Sequence, residues 1–204
     1  MNKRLRIGLM GGTFDPIHLG HLVAAELVRE EFSLHKVIFI PSGNPPHKKN
    51  YPVTPANIRY KMVSMAIKTH PFFLISACEI KRPGPSYTVD TLTFFHKKYP
   101  CDEFYFITGA DAVFELISWK DMSILFSLCT FIGVTRHGYD LMHALEEHPI
   151  LKEYKQKMYF LEIPKVEISS TYIRQRRQEG KSIKYLVPAA VEKYILKHRL
   201  YENK

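Results

Sequence analysis

The stretch GGTFDPIHLGH, residues 11–21, follows directly on the apolar run Leu5-Arg6-Ile7-Gly8-Leu9. Adjacent glycines after a buried strand let the chain turn sharply and bring its backbone close to a ligand. A helix opening just beyond them offers unpaired N–H groups and the positive end of a dipole to a phosphate. A helix beginning near His18 makes His18 and His21 neighbours on its first turn, and Gly20 keeps the space beside them clear. Three chemistries compete for this pair: hydrogen-bond donors to an anion, half of a zinc site, or two residues that only cap the helix. Zinc needs further ligands at matching spacing, and His35 and His47 do not supply them. The stretch is neither the dinucleotide fingerprint GxGxxG nor a P-loop, because no Gly-Lys-Ser/Thr follows the glycines.

Far along the chain, ISSTYIR at residues 168–174 reads as a helix start, with Ser169 or Ser170 as N-cap. Alone it is only a cap. The hydroxyls of Ser169, Ser170 and Thr171, the open N–H groups of the first turn and Arg174 one turn later also make a second anion cradle. Two such cradles suit a triphosphate and the pyrophosphate it releases. Arg176 and Arg177 read as solvated.

The elements that must position these residues follow from period and punctuation. Buried strands are expected at Leu5–Met10, Val37–Ile40, Phe72–Ala77, Glu103–Thr108, Thr130–Val134 and Tyr159–Ile163. Helices are expected at His18–Phe32, Ala56–Lys68, Thr88–Tyr99, Ala112–Leu128 (one or two), Leu141–Leu151 and through a basic C-terminal segment. Strands alternating with helices predict an α/β, Rossmann-like, doubly wound and mostly parallel sheet with helices on both faces, in one domain spanning residues 1–204. In such sheets ligands bind beyond the carboxyl ends of the strands. The loops to inspect are therefore GGTFDP, PSGNPPHK, TGAD and TRHG, each of which begins at a strand end.

Composition limits the alternatives. The 204 residues carry 29 Lys and Arg against 20 Asp and Glu, a formal charge of +9 that implies an anionic partner. No apolar stretch reaches a membrane span and the N-terminus lacks a signal h-region, so a cytoplasmic protein without a membrane partner is expected. Cys78, Cys101 and Cys129 show neither CxxC spacing nor an even count, which argues against a disulfide scaffold or zinc finger. A basic RNA-binding module is the alternative from another class. No RNP, KH or dsRBD pattern supports it, and the basic residues lie on amphipathic helices, so no nucleic acid partner is expected. Oligomeric state, a homo-oligomer included, is left open.

GxFDPxHxGH resembles the signature of the nucleotidylyltransferase superfamily, and ISSTYIR resembles its second element. The resemblance extends through RPGPSYTVDTL (82–92), GADA (109–112), LISWKD with Trp119, and YLVPAAVEKYILKHRLY (185–201). Together these look like the bacterial nicotinate-nucleotide adenylyltransferase family, in this order and from Ile7 to Tyr201. The resemblance implies transfer of AMP from ATP to nicotinate mononucleotide, giving deamido-NAD and pyrophosphate, with Mg²⁺ accompanying ATP and no resident metal. It further implies that His18, His21 and Arg174 stabilise phosphate charge. The ATP contacts would come from Gly11, Gly12, Thr13, Phe14, His18, His21, Gly109, Asp111, Ser169, Ser170, Thr171 and Arg174. The alternative within the superfamily is another small adenylyl- or cytidylyltransferase, with nicotinamide mononucleotide or phosphopantetheine as acceptor.

The acceptor side is expected at Asn44, Lys48, Tyr87, Thr88, Trp119 and Arg136. A pyridine ring stacks on an indole, which fits Trp119, the sole tryptophan, as well as a packing role does. Tyr87 and Thr88 stand at a helix start where N–H groups suit the nicotinate carboxylate better than a carboxamide. Asp111 either holds ribose hydroxyls or caps the next helix. Asn44 and Lys48 either reach phosphate and ribose or are solvated, and Arg136 matches a basic residue that the family places near the nucleotides.

Overall fold

The computed structural model describes residues 4–45, 53–135 and 141–203. The chain begins with β1 (Arg6–Gly12), α1 (Leu19–Glu31), β2 (Lys36–Pro41), α2 (Ala56–Ile67) and β3 (Phe73–Ile75). It continues through α3 (Cys78–Lys81), α4 (Thr88–Lys98), β4 (Glu103–Gly109), α5 (Ala110–Phe114), a 3₁₀ turn (Glu115–Ser118) and α6 (Met122–Leu128). It ends with β5 (Thr130–Thr135), α7 (Leu141–Glu147), a second 3₁₀ segment (Leu151–Lys157), β6 (Met158–Glu162), α8 (Ser170–Gln178) and α9 (Ala189–Lys197).

The strands form one sheet in the order β3-β2-β1-β4-β5-β6, and every pairing is parallel. This is the doubly wound, Rossmann-like order, whose direction reverses between β1 and β4. Gly12 of β1 pairs with Pro41 of β2, and Met10 pairs with Ile107 of β4. The carboxyl ends of three central strands therefore stand level and open one crevice at the reversal.

Alternation along each strand feeds two cores. Ile7 and Leu9 of β1 and Phe104 and Phe106 of β4 face a cluster completed by Val89, Leu92 and Phe95 of α4 and by Leu125 and Phe126 of α6. Met10 and Ile107 face the opposite cluster, with Ala24, Ala25 and Val28 of α1 and Met62 and Val63 of α2. Ile173 of α8 and Val191 and Ile195 of α9 belong to that second cluster. A buried Ile is worth about 2–5 kcal/mol against alanine, so packing rather than propensity seats the short basic α8 beside α1. Periodicity had indicated helices in the tail; only the sheet shows which face they cover.

Several boundaries moved. β1 runs on through Gly11 and Gly12, so the glycines end the strand rather than form the loop. The 112–128 segment breaks into α5, a 3₁₀ turn and α6, and the short α3 and the Leu151–Lys157 segment were not anticipated.

Candidate active site

The first motif is built by capping and close packing. His18 is the N-cap of α1, and its N–H donates to Nδ1 of His21 at 3.2 Å. The two rings stack with centroids 3.7 Å apart, and His18 is only 4% exposed. The capping reading is therefore correct as far as it goes. Nδ1 of His21 thus accepts a hydrogen bond, which leaves Nε2 as the donor atom of the ring. Gly20 serves the protein itself: a Cβ there would lie 3.1 Å from Nδ1 of His18.

The neighbouring glycines and Phe14 also differ from expectation. A Cβ on Gly12 would stand 2.9 Å from the Phe14 ring, and one on Gly11 would stand 3.0 Å from the Phe106 ring. Their lack of side chains accommodates aromatic packing beneath the loop. Phe14 is buried at 3% exposure, with its ring against His21 and Phe39. Its side chain is thus core, which corrects its expected role in ATP contact to one open only to its backbone.

The second motif docks onto the first. Ser169 caps α8, its Oγ accepting from the Tyr172 N–H at 3.1 Å. Ser170 Oγ donates to the Pro16 carbonyl at 2.8 Å, and Arg174 Nη1 donates to the Asp15 carbonyl at 2.8 Å. Arg174 Nη2 also donates to Thr171 Oγ1 at 3.1 Å. Both cradles therefore share one wall. Arg177 corrects the expectation of solvation: it is buried and paired with Glu202, because the C-terminal segment folds back over α8. Arg176 donates to the Ser182 carbonyl at 2.7 Å.

Facing this wall is a cavity of about 260 Å³ lined by Gly11, Gly12, Thr13, Ser42, Thr88, Trp119 and neighbours. Trp119 is half-buried there, with edge contacts to Phe106 and Phe131, so it packs and lines the cavity at once. Tyr87 is the N-cap of α4 and Thr88 its first residue, and both line the cavity. Asn44 is exposed, and its backbone carries the contact: its carbonyl accepts from the Ser86 N–H at 2.9 Å. Asp111 is not a cap, because Gly109 occupies that position of α5 and Asp111 lies exposed in the first turn. A Cβ on Gly109 would meet nothing within 4 Å, so no close packing demands a glycine there. Lys48 and Arg136 lie outside the described residues.

Four site residues escaped the sequence reading. Arg59, 1% exposed, donates from Nε to the Thr54 carbonyl at 2.7 Å, from Nη1 to that of Thr13 at 2.6 Å and from Nη2 to that of Ser42 at 2.6 Å. Burial holds its guanidinium below its ordinary value, against the pull of Asp15, Tyr201 and Glu79. Asp15, 2% exposed, accepts from the Tyr201 hydroxyl at 2.6 Å and the Thr54 N–H at 3.1 Å. Glu79 is 8% exposed, and burial pushes its carboxyl above the ordinary range against the hydroxyls of Thr91 and Ser86. The signal for Arg59 was a charge on the apolar stripe that continues through Met62 and Val63. Asp15 and Tyr201 stood inside quoted motifs but had no role assigned, since they pair with each other 186 residues apart, and Glu79 gave no signal.

Residues 9–176 match the cytidylyltransferase-like family. A relative from Moorella thermoacetica, named as a nicotinate-nucleotide adenylyltransferase, is 52% identical over 198 residues, which cover 96% of this chain and 91% of the relative. A relative of the same name from a Thermoanaerobacter species is 50% identical over 205 residues, covering 100% of this chain and 97% of its own. This chain belongs to the nicotinate-nucleotide adenylyltransferase family. The fold agrees across much greater divergence. Plasmodium falciparum nicotinic acid mononucleotide adenylyltransferase, solved as a complex with NaAD, superposes with a TM-score of 0.77 at 21% identity over 97% of this chain and 98% of that one. Among the described residues no helix is long and apolar enough to cross a membrane.

Proposed function

We propose that this member of the nicotinate-nucleotide adenylyltransferase family transfers the AMP group of ATP to nicotinate mononucleotide in NAD biosynthesis. One observation carries the placement of the chemistry. Ser170 and Arg174 hydrogen-bond the Pro16 and Asp15 carbonyls, which brings two anion cradles together at the topological reversal of the sheet. A phosphate oxygen of the mononucleotide attacks the α-phosphorus of ATP. The new P–O bond forms as the bond to pyrophosphate breaks, giving deamido-NAD.

The second pKa of the attacking phosphate is about 6, so it arrives largely ionised and requires no general base. Alignment and charge stabilisation remain for the protein. His21 Nε2, His18, Arg174 and the first-turn N–H groups of α1 and α8 serve as donors to the triphosphate and the departing pyrophosphate. Gly11, Gly12, Thr13 and Ser169 to Thr171 form the surface on which it lies. Trp119 receives the pyridine ring and the start of α4 at Thr88 receives its carboxylate; Lys48 and Arg136 are assigned to substrate phosphates. Mg²⁺ arriving with ATP would neutralise charge on its phosphates.

The test is to incubate the purified protein with ATP, Mg²⁺ and either nicotinate or nicotinamide mononucleotide, and to follow pyrophosphate and dinucleotide. Deamido-NAD formation with a strong preference for the acid is expected. A preference for the amide would overturn the specificity, and no product with either would overturn the reading.

A further inference from the structure

We infer that Arg59 is a positioning residue for this reaction, one that turns the peptides just after β1 and β2 and so presents the Phe14 N–H to the nucleotide. This rests on the adenylyl-transfer reading of the site. A guanidinium offers planar, divergent donors, and Arg59 directs all three of its nitrogens at backbone carbonyls: Thr54, Thr13 after β1, and Ser42 after β2. Asp15 provides the nearby negative charge.

A trans peptide points its N–H opposite to its carbonyl. With the Ser42 carbonyl drawn to Arg59, the Gly43 N–H must face the other way, and it does, donating to Ser86 Oγ at 3.0 Å on the acceptor side. The same geometry at Thr13, whose carbonyl is also drawn to Arg59, turns the Phe14 N–H away from the buried guanidinium, and Thr13 itself lines the cavity. Phe14 itself sits at φ 50°, a left-handed conformation that a bulky residue adopts only when its surroundings impose it. Its buried ring and the tethered Thr13 carbonyl are those surroundings. Ser42 adds a hint of a ligand: it is 7% exposed, lines the cavity, and its Oγ has no hydrogen-bond partner among the described residues.

The test uses the full chain and two variants, Arg59→Lys and Arg59→Met, with thermal unfolding measured alongside kinetics. Lysine keeps the charge but cannot span three carbonyls. It is expected to lower kcat about a hundredfold, the effect of a misplaced reacting geometry, while the KM values for both substrates change less than tenfold. A folded Arg59→Lys protein with kcat within threefold of wild type would overturn the inference, even if its Tm were lower. Should neither variant fold, the wild-type protein decides: the Phe14 amide resonance must shift, and its hydrogen exchange slow, on saturation with a non-hydrolysable ATP analogue and Mg²⁺. An unchanged Phe14 amide overturns the proposal. If wild type forms no deamido-NAD, the functional reading fails, and the same amide measurement with inorganic pyrophosphate still judges the orientation of Phe14.

Discussion

The two walls of the crevice are made differently. The wall carrying the histidines is knit by contacts between distant residues: Ser170 to Pro16, Arg174 to Asp15 and Tyr201 to Asp15, with His18 and Asp15 almost fully buried. The facing wall consists of short pieces, the α3 turn, the start of α4 and the 3₁₀ turn before Trp119, and Tyr87, Thr88 and Trp119 on it are half-buried, while Glu79 is buried. Phosphate chemistry gains from donors that do not reorganise as charge develops. Recognition of a flat ring and one carboxylate needs a few side chains at a cavity's edge.

The comparison breaks most readily at His18. His18→Ala should lower kcat by roughly two to three orders of magnitude with the fold retained, as expected for loss of a preorganised donor. Steady-state kinetics beside circular dichroism check this, and a loss under tenfold would make the first wall no more catalytic than the second. At Trp119 the effect should fall on one substrate. Trp119→Ala is expected to raise the KM for nicotinate mononucleotide about tenfold, in line with stacking worth up to about 1.5 kcal/mol, and to leave the KM for ATP nearly unchanged. An equal rise in both would show that Trp119 serves packing alone.

Ser170→Ala sharpens the claim that the walls differ in how they are tied. It removes one neutral hydrogen bond of about 1 kcal/mol, so a loss of several-fold in kcat/KM for ATP is expected, with the acceptor KM unaltered. The smallest effect concerns Glu79. Its carboxyl is raised by burial in the folded state, so its contribution to stability is full below the ordinary glutamate value near 4.5 and is lost as pH rises through the folded value. Glu79→Gln should therefore gain relative to wild type as pH increases from about 4.5, in urea titrations at a series of pH values. A constant difference across that range would show that Glu79 ionises without cost in the folded chain.

Much of the first wall was legible in the sequence because its signals are local. Glycines after an apolar run, a proline before a helix, and hydroxyls before YIR each act within a turn of the chain. The second wall was less legible. Asp111 read as either a ribose ligand or a cap and is not a cap, since α5 begins at Ala110, directly after β4 and two residues before the expected start, and Gly109 takes the N-cap position. In the first wall too, Phe14 lay inside the opening motif, yet its ring is core, packed against Phe39 at 3% exposure.

By itself the sequence determined the alternating elements, the parallel sheet, the two candidate phosphate-binding motifs and the family, since hydrophobic period, caps and glycine turns are properties of neighbouring residues. Only the tertiary structure decided that α8 packs on the same face as α1, that the two motifs meet, and that Arg59 and Asp15 tie the loops behind them. Those contacts join residues as far apart as Asp15 and Tyr201. Such pairs come together only after burial of the apolar faces has fixed where each element lies.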